Sequence, residues 1–238
     1  MKKIILLLVL AFCSNFLIGQ NVEKEEKKKS APDLPGVILL DFGFNFFQKE
    51  PAEMNINWFK SKSFGLYYMR VFNIGKKISF NPAIGINFEK YGFSNDITIG
   101  YQDNGNGEEL SIVDLGAFQN VSKSQLAMNY LDIPIQFRYY LKGNDVKGGT
   151  YFALGGMLSL LVESHTKVKF TNNGRNQTQK ARDDFNQSNL RYGVQGRFGF
   201  GSVNFFYKRY FSKLFNSEGP AGTADITTNT IGISISGL

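Results

Sequence analysis

The sequence predicts an all-β chain, an eight-stranded antiparallel up-and-down transmembrane β-barrel over residues 37–238. Three observations predict it. Apolar residues alternate with small or polar ones without a slip through ISFNPAIGINFE (78–89). The same alternation recurs in seven further segments, and the connections between the eight are short and long by turns. Successive side chains of a strand point to opposite faces, so alternation with period two marks strands with one oily and one polar side. At about twelve residues, 78–89 also has the length that a tilted strand needs to cross hydrocarbon, roughly 9–11 residues.

In chain order, residues 1–20 read as a secretory signal peptide. Lys2 and Lys3 give a positive start, residues 4–12 an apolar stretch, and Gly19 a small residue near a plausible cleavage point. The apolar run to Ile18 is shorter than the roughly 20 residues of a spanning helix. Cys13 is the chain's single cysteine and leaves with this segment, so no disulfide is expected in the exported protein. Residues 21–36, NVEKEEKKKSAPDLPG, mix a charge run with two prolines and cannot bury apolar area. They read as a flexible periplasmic tail.

The first strand, in GVILLDFGFNFF, sets Ile38, Leu40, Phe42, Phe44 and Phe46 against Val37, Leu39, Asp41, Gly43 and Asn45. The second, SFGLYYMRVF (63–72), sets Tyr67, Met69 and Val71 against Leu66, Tyr68 and Arg70. In the third, 78–89, Ile78, Phe80, Pro82, Ile84, Ile86 and Phe88 oppose Ser79, Asn81, Ala83, Gly85, Asn87 and Glu89. The fourth, MNYLDIPIQFRYYL (128–141), sets Leu131, Ile133, Ile135, Phe137 and Tyr139 against Asp132, Pro134, Gln136, Arg138 and Tyr140. The fifth (150–162) places Phe152, Leu154, Leu158, Leu160 and Val162 opposite Tyr151, Ala153, Gly155, Met157 and Ser159. The sixth (190–198) places Tyr192, Val194 and Phe198 opposite Arg191, Gln195 and Arg197. The seventh (202–211) places Val203, Phe205 and Tyr207 opposite Asn204, Phe206, Lys208 and Tyr210. The eighth closes the chain with Ile231, Ile233 and Ile235 against Thr230, Gly232, Ser234 and Ser236.

Short linkers at 74–77, 142–149 and 199–202 alternate with long polar ones at 48–62, 92–125, 163–189 and 212–225. Outer-membrane barrels sort their connections in this way, with short periplasmic turns and longer extracellular loops. Within 92–125, ITIGY offers a hairpin extension. Pro82 and Pro134 fall inside strands and have no N–H for the ladder, so each should cause a bulge or a missing bond. Arg209 falls on the oily face and belongs near the headgroups, where a charge costs roughly 0–1 kcal/mol instead of about 2–4 at the midplane.

YLDIPIQFRYYL (130–141), with proline after an aliphatic pair, resembles a strand of the PorT-like outer-membrane β-barrel family of Gram-negative bacteria. NPAIGINFEKYGF (81–93) resembles that family's third strand and its exit. The likeness in layout runs from about residue 37 to 238. It implies an eight-stranded barrel in the cell outer membrane. The member that names the family is linked to a protein export system, and the family supplies no catalytic residues.

Eight strands enclose a lumen just wide enough for side chains to fill. The predicted inward charges are Asp41, Glu89 and Asp132 with Arg70, Arg138, Arg197 and Lys208. Acids and bases in one lumen can satisfy each other, and we read them as a structural salt-bridge plug. A narrow ion path and a ligand-gated opening are the alternatives. Without the signal peptide the chain has 25 basic and 20 acidic residues. We read that balance as attraction to anionic headgroups, with no nucleic-acid partner. In 163–189, Lys167, Lys169, Arg175, Lys180 and Arg182 could meet lipopolysaccharide phosphates.

No catalytic residue, cofactor, metal site or small-molecule substrate is expected. Glu163, Ser164 and His165 are consecutive, so in an extended segment Ser164 and His165 face apart. The leading functional reading is a structural or interaction protein, an accessory of an export or other envelope machine with envelope proteins as partners. The alternatives are a surface binding or adhesion module acting through 92–125 and 163–189 and, last, a lipid-modifying barrel enzyme.

Overall fold

The computed structural model describes residues 36–103, 105, 107–118, 120–142, 149–217 and 219–237. The predicted signal peptide, and the predicted tail up to residue 35, lie outside the described residues. Twelve strands follow one another: β1 (Val37–Gln48), β2 (Lys62–Met69), β3 (Phe72–Asn73), β4 (Ile78–Gly92), β5 (Ile97–Asp103), β6 (Glu108–Asp114), β7 (Lys123–Tyr140), β8 (Thr150–Asn172), β9 (Arg175–Arg182), β10 (Leu190–Phe200), β11 (Val203–Tyr210) and β12 (Thr227–Ser236). No helix occurs among the described residues.

Eight staves close a ring in the order β1, β2, β4, β7, β8, β10, β11, β12, with β12 returning to β1. Every pairing is antiparallel. Closure removes the sheet edge that an open wall would expose. The faces follow the alternation. Inside, Asp41, Asn45, Asn87, Glu89, Asp132, Gln136, Arg138, Gln195, Arg197, Asn204 and Lys208 are buried, whereas Phe137, Phe152, Leu154, Phe205 and Ile231 stand more than half exposed outside. A polar interior inside an oily wall is the inverse of a soluble domain, and suits a bilayer.

The two prolines produce missing pairings without a register shift. Pro82 faces Ile135 and Gly85 faces Asp132 in one continuous register, but pairing lapses at Ala83 and Ile84, beside Pro134. On its other side Arg70 N–H donates to the Pro82 carbonyl at 3.0 Å, and Pro82 has no N–H to return. That lapse divides the predicted second strand into β2 and β3, which share one register on β4. The staves run close enough to require small residues: a Cβ on Gly155 would lie 2.0 Å from the Ile135 carbonyl oxygen.

Two corrections extend the predicted outline. The segment 163–189 is not simply a polar connection: β8 continues to Asn172 and turns back as β9. Asn173 and Gly174, at φ 48° and 72°, make the two-residue turn, for which an Asn-Gly pair is the favoured sequence. The β7–β8 register shifts once, where Asn129 and Tyr130 face Glu163 and Leu161, leaving Val162 as the extra residue. The bulge changes the inward phase of β8 from Ser159 and Leu161 to Ser164, Thr166 and Val168. The ITIGY segment forms β5, which pairs with β6 in a separate hairpin.

Candidate functional site

The lumen holds two linked charge centres. On β1, Asp41 receives both terminal nitrogens of Arg197 from β10, at 2.9 and 2.7 Å. Lys208 of β11 lies 2.9 Å from the same carboxylate. Its ammonium also donates to the Tyr67 hydroxyl at 2.9 Å, and that hydroxyl donates to Asp132 at 2.9 Å. Five staves, β1, β2, β7, β10 and β11, therefore meet in one hydrogen-bonded chain. Such fork geometry suits a planar guanidinium and a carboxylate buried together.

Nearer the long-connection rim, Glu89 accepts from Arg191 at 2.9 Å, from Asn87 at 3.0 Å and from Tyr91 at 3.0 Å. The Arg191 guanidinium lies between two rings, 3.7 Å from the centre of Tyr130 and 4.0 Å from that of Tyr210. Arg191 is absent from the predicted charge set, although the alternation that selects Arg197 selects it too. Arg138 meets no carboxylate among the described residues. Its guanidinium lies 4.4 Å over the Tyr151 ring, with the Met69 sulfur 3.0 Å from one nitrogen.

Arg70 lies on the other side of the wall. β2 buries Ser63, Gly65, Tyr67 and Met69, so Arg70 falls in the outward phase and is half-buried, 5.5 Å from the Phe72 ring. The expected inward placement of Arg70 fails because 66–69 is apolar on both faces; Ser63 and Gly65 set the phase. Arg209 is outward and exposed as expected, 5.9 Å from the Phe211 ring. It pairs with Asn229 on β12 and with Val194 on β10.

Above the charges an apolar cluster fills the long-connection end. Met54, Phe185, Leu214 and Phe215 from the connections pack with Ile97, Ile99 and Leu110 of the β5–β6 hairpin, and with Tyr91, Met128 and Tyr130 of the wall. Three long connections and one hairpin thus fold inward over the lumen. Charge below and hydrocarbon above leave no wide path. Purified protein in planar bilayers should give little steady conductance, and large stable channels would contradict this packing.

The projecting sheet is a second feature. β8 reaches ten residues beyond Val162, which at about 3.3 Å per residue is roughly 33 Å of strand. Its inner side is covered: Leu115 and Val121 pack on Val168 and Phe170, and Phe118 lies 4.5 Å from Phe170. β9 pairs only with β8 among the described residues, so its far edge is open. Ser164 is buried on the inner side, while the His165 ring turns outward, its Nδ1 3.6 Å from Glu163. Serine and histidine therefore do not form a nucleophile–base pair.

A family model described as outer membrane protein beta-barrel domain matches residues 38–217. No curated protein matches the chain. Among solved structures the chain is similar to Ail, the attachment invasion locus protein of Yersinia pestis, at 14% identity over 85% of this chain and 97% of that one, with a TM-score of 0.36. It is similar to the same protein in complex with the heparin analogue sucrose octasulfate, at 14% identity over 86% of this chain and 100% of that one, with a TM-score of 0.35. A triple-mutant porin from Rhodopseudomonas blastica gives 10% identity over 85% and 98%, with a TM-score of 0.19.

Proposed function

The chain belongs to the outer membrane protein β-barrel domain family, and from that premise we propose that it is a plugged barrel working as a surface binding or adhesion module. Within the family we read it as PorT-like, on 130–141 and 81–93, with 1–20 as its export signal and 21–36 as its periplasmic tail. The observation that carries the proposal is the β8–β9 hairpin, which continues the wall far past the oily belt and ends in an open edge. Outer-membrane barrels keep short turns periplasmic, so this hairpin projects outward from the cell. An unpaired edge offers a row of N–H and C=O groups to an extended segment of a partner. Binding by strand addition needs a rigid edge, and β9 is braced along its whole length by β8. An accessory role in an export machine would draw on the other rim, where the described turns 74–77 and 201–202 are short.

Residues flanking the Asn173–Gly174 turn exchange hydrogen bonds, and alternate β9 residues then point their N–H groups away from β8. Thr178 is one of these. A photo-cross-linker at Asn176 should trap a partner in the native membrane, and Thr178→Pro should abolish the capture while heat-modifiable migration stays normal. Cross-links arising only from Gly75 or Ser202 would refute this reading and favour the export accessory.

A further inference from the structure

We propose that the outer face of β4, β7, β8 and β9, just above the oily belt, is a binding site for the phosphate groups of outer-leaflet lipid. This rests on the barrel's membrane seat and not on the β9 partner. The last rung to carry a large apolar side chain in this sector is Phe88–Asn129–Glu163. The next outward rung carries Lys90 and, across Ala127 and His165, Arg182. The rung above it carries Lys167 and Lys180, beside Gly92, on which the Lys60 side chain lies. The third pairs Lys123 directly with Lys169.

Seven cations thus share one face, with Glu163 the carboxylate beneath them. Glu163 lies 3.3 Å from Arg182 and 4.0 Å from Lys180. Lys60, Lys90, Lys123, Lys167 and Lys169 form no salt bridge among the described residues. Burial, followed by the charges of Lys90, Lys167, Lys169 and Lys60, holds the Lys123 ammonium below its ordinary value. Like charges this close repel, and a bound anion relieves the repulsion.

Height selects the anion. With two residues per rung and a strand tilt near 40°, the first two rungs lie about 5 and 10 Å above the belt. The first rung lies at the depth of the headgroup layer, and the long lysine stems of the rungs above can reach down to it. The inner side of this sheet is covered by Leu115, Phe118 and Val121, so the cationic side is the one left open. A row of cations seated against the bilayer fits phosphorylated headgroups, the phosphates of lipopolysaccharide included. It also matches the way basic clusters beside a membrane attract anionic lipid.

The test uses the full chain reconstituted in vesicles of mixed phosphatidylcholine and phosphatidylglycerol, followed by detergent extraction and native mass spectrometry. Wild type should retain phosphatidylglycerol in preference to phosphatidylcholine by about tenfold, and salt should weaken the preference. The triple variant K123Q/K167Q/K169Q should lose it, and the corresponding arginine variant should keep it. Lys76→Gln with Lys77→Gln, at the opposite rim, should change nothing, with heat-modifiable migration reporting folding throughout. Retention unchanged in the triple glutamine variant would overturn the proposal. So would displacement by inorganic phosphate alone, equal loss from the opposite-rim pair, or loss of an acidic protein partner with lipid retention intact. Thr178→Pro should leave lipid retention untouched, which separates failure of this site from failure of the β9 edge.

Discussion

Asp41→Ala is expected to destabilise the barrel by about 3–5 kcal/mol, because it strands two cations in a closed lumen. Arg197 gives both terminal nitrogens to this carboxylate, and Lys208 approaches the same oxygen that accepts at 2.7 Å. All three side chains are almost wholly buried. The cost comes from breaking the set, not from a large net gain on forming it. An apolar replacement of a whole buried ion set is often near neutral. Asp41→Leu combined with Arg197→Leu should therefore recover a substantial part of the loss, the rest tracing to Lys208. Urea unfolding in vesicles measures both variants. The single tryptophan, Trp58, stands half exposed 5.4 Å from Phe44 and reports the transition. A single alanine variant within about 1 kcal/mol of wild type would mean that these charges are solvated and do not plug the barrel.

The wall was legible in the sequence because lipid on one side and a narrow lumen on the other force a clean period of two. ISFNPAIGINFE, the first strand and the fourth keep that period over their whole length, and their faces fall as the alternation places them. The period fails as a guide where both faces are apolar. Tyr67 and Met69 are as oily as Leu66 and Tyr68, so the phase that turns Arg70 outward is set by Ser63 and Gly65 further back. It also misleads where both faces leave the bilayer. ESHTKVKFTN alternates as regularly as any stave and runs into Asn173–Gly174, a strong hairpin signal. Its charged face nevertheless resembles a loop. A bulge at Val162 cannot be read locally, and it changes the phase between Leu161 and Ser164. The inward folding of Met54, Phe185 and Phe215 is a long-range event that no local pattern encodes.

Arg191→Met is the second large effect, expected to cost about 3–5 kcal/mol by leaving Glu89 buried without a cation. Glu89 would keep the Asn87 and Tyr91 donors at 3.0 Å, which stabilise a carboxylate but do not neutralise it. Arg191→Lys separates charge from shape. A lysine can keep the ion pair, but it loses the planar stack between Tyr130 and Tyr210 and the 3.2 Å bond to Thr228. Arg and Lys are not equivalent at a stacked site, and cation–π contacts alone contribute about 2 kcal/mol or more when desolvated. The lysine variant should accordingly fall between wild type and Arg191→Met. Because Tyr91 and Tyr130 also belong to the apolar cap, Arg191 fastens the charged lumen to the cluster above it. Its loss should loosen the cap as well as lower stability. Hydrogen exchange at Ile97 and Ile99, whose hairpin is held by that cluster, should speed up in Arg191→Met. In Asp41→Ala the same amides should change only as global stability changes. Equal local exchange in the two variants would show that the cap is held independently of the charges beneath it.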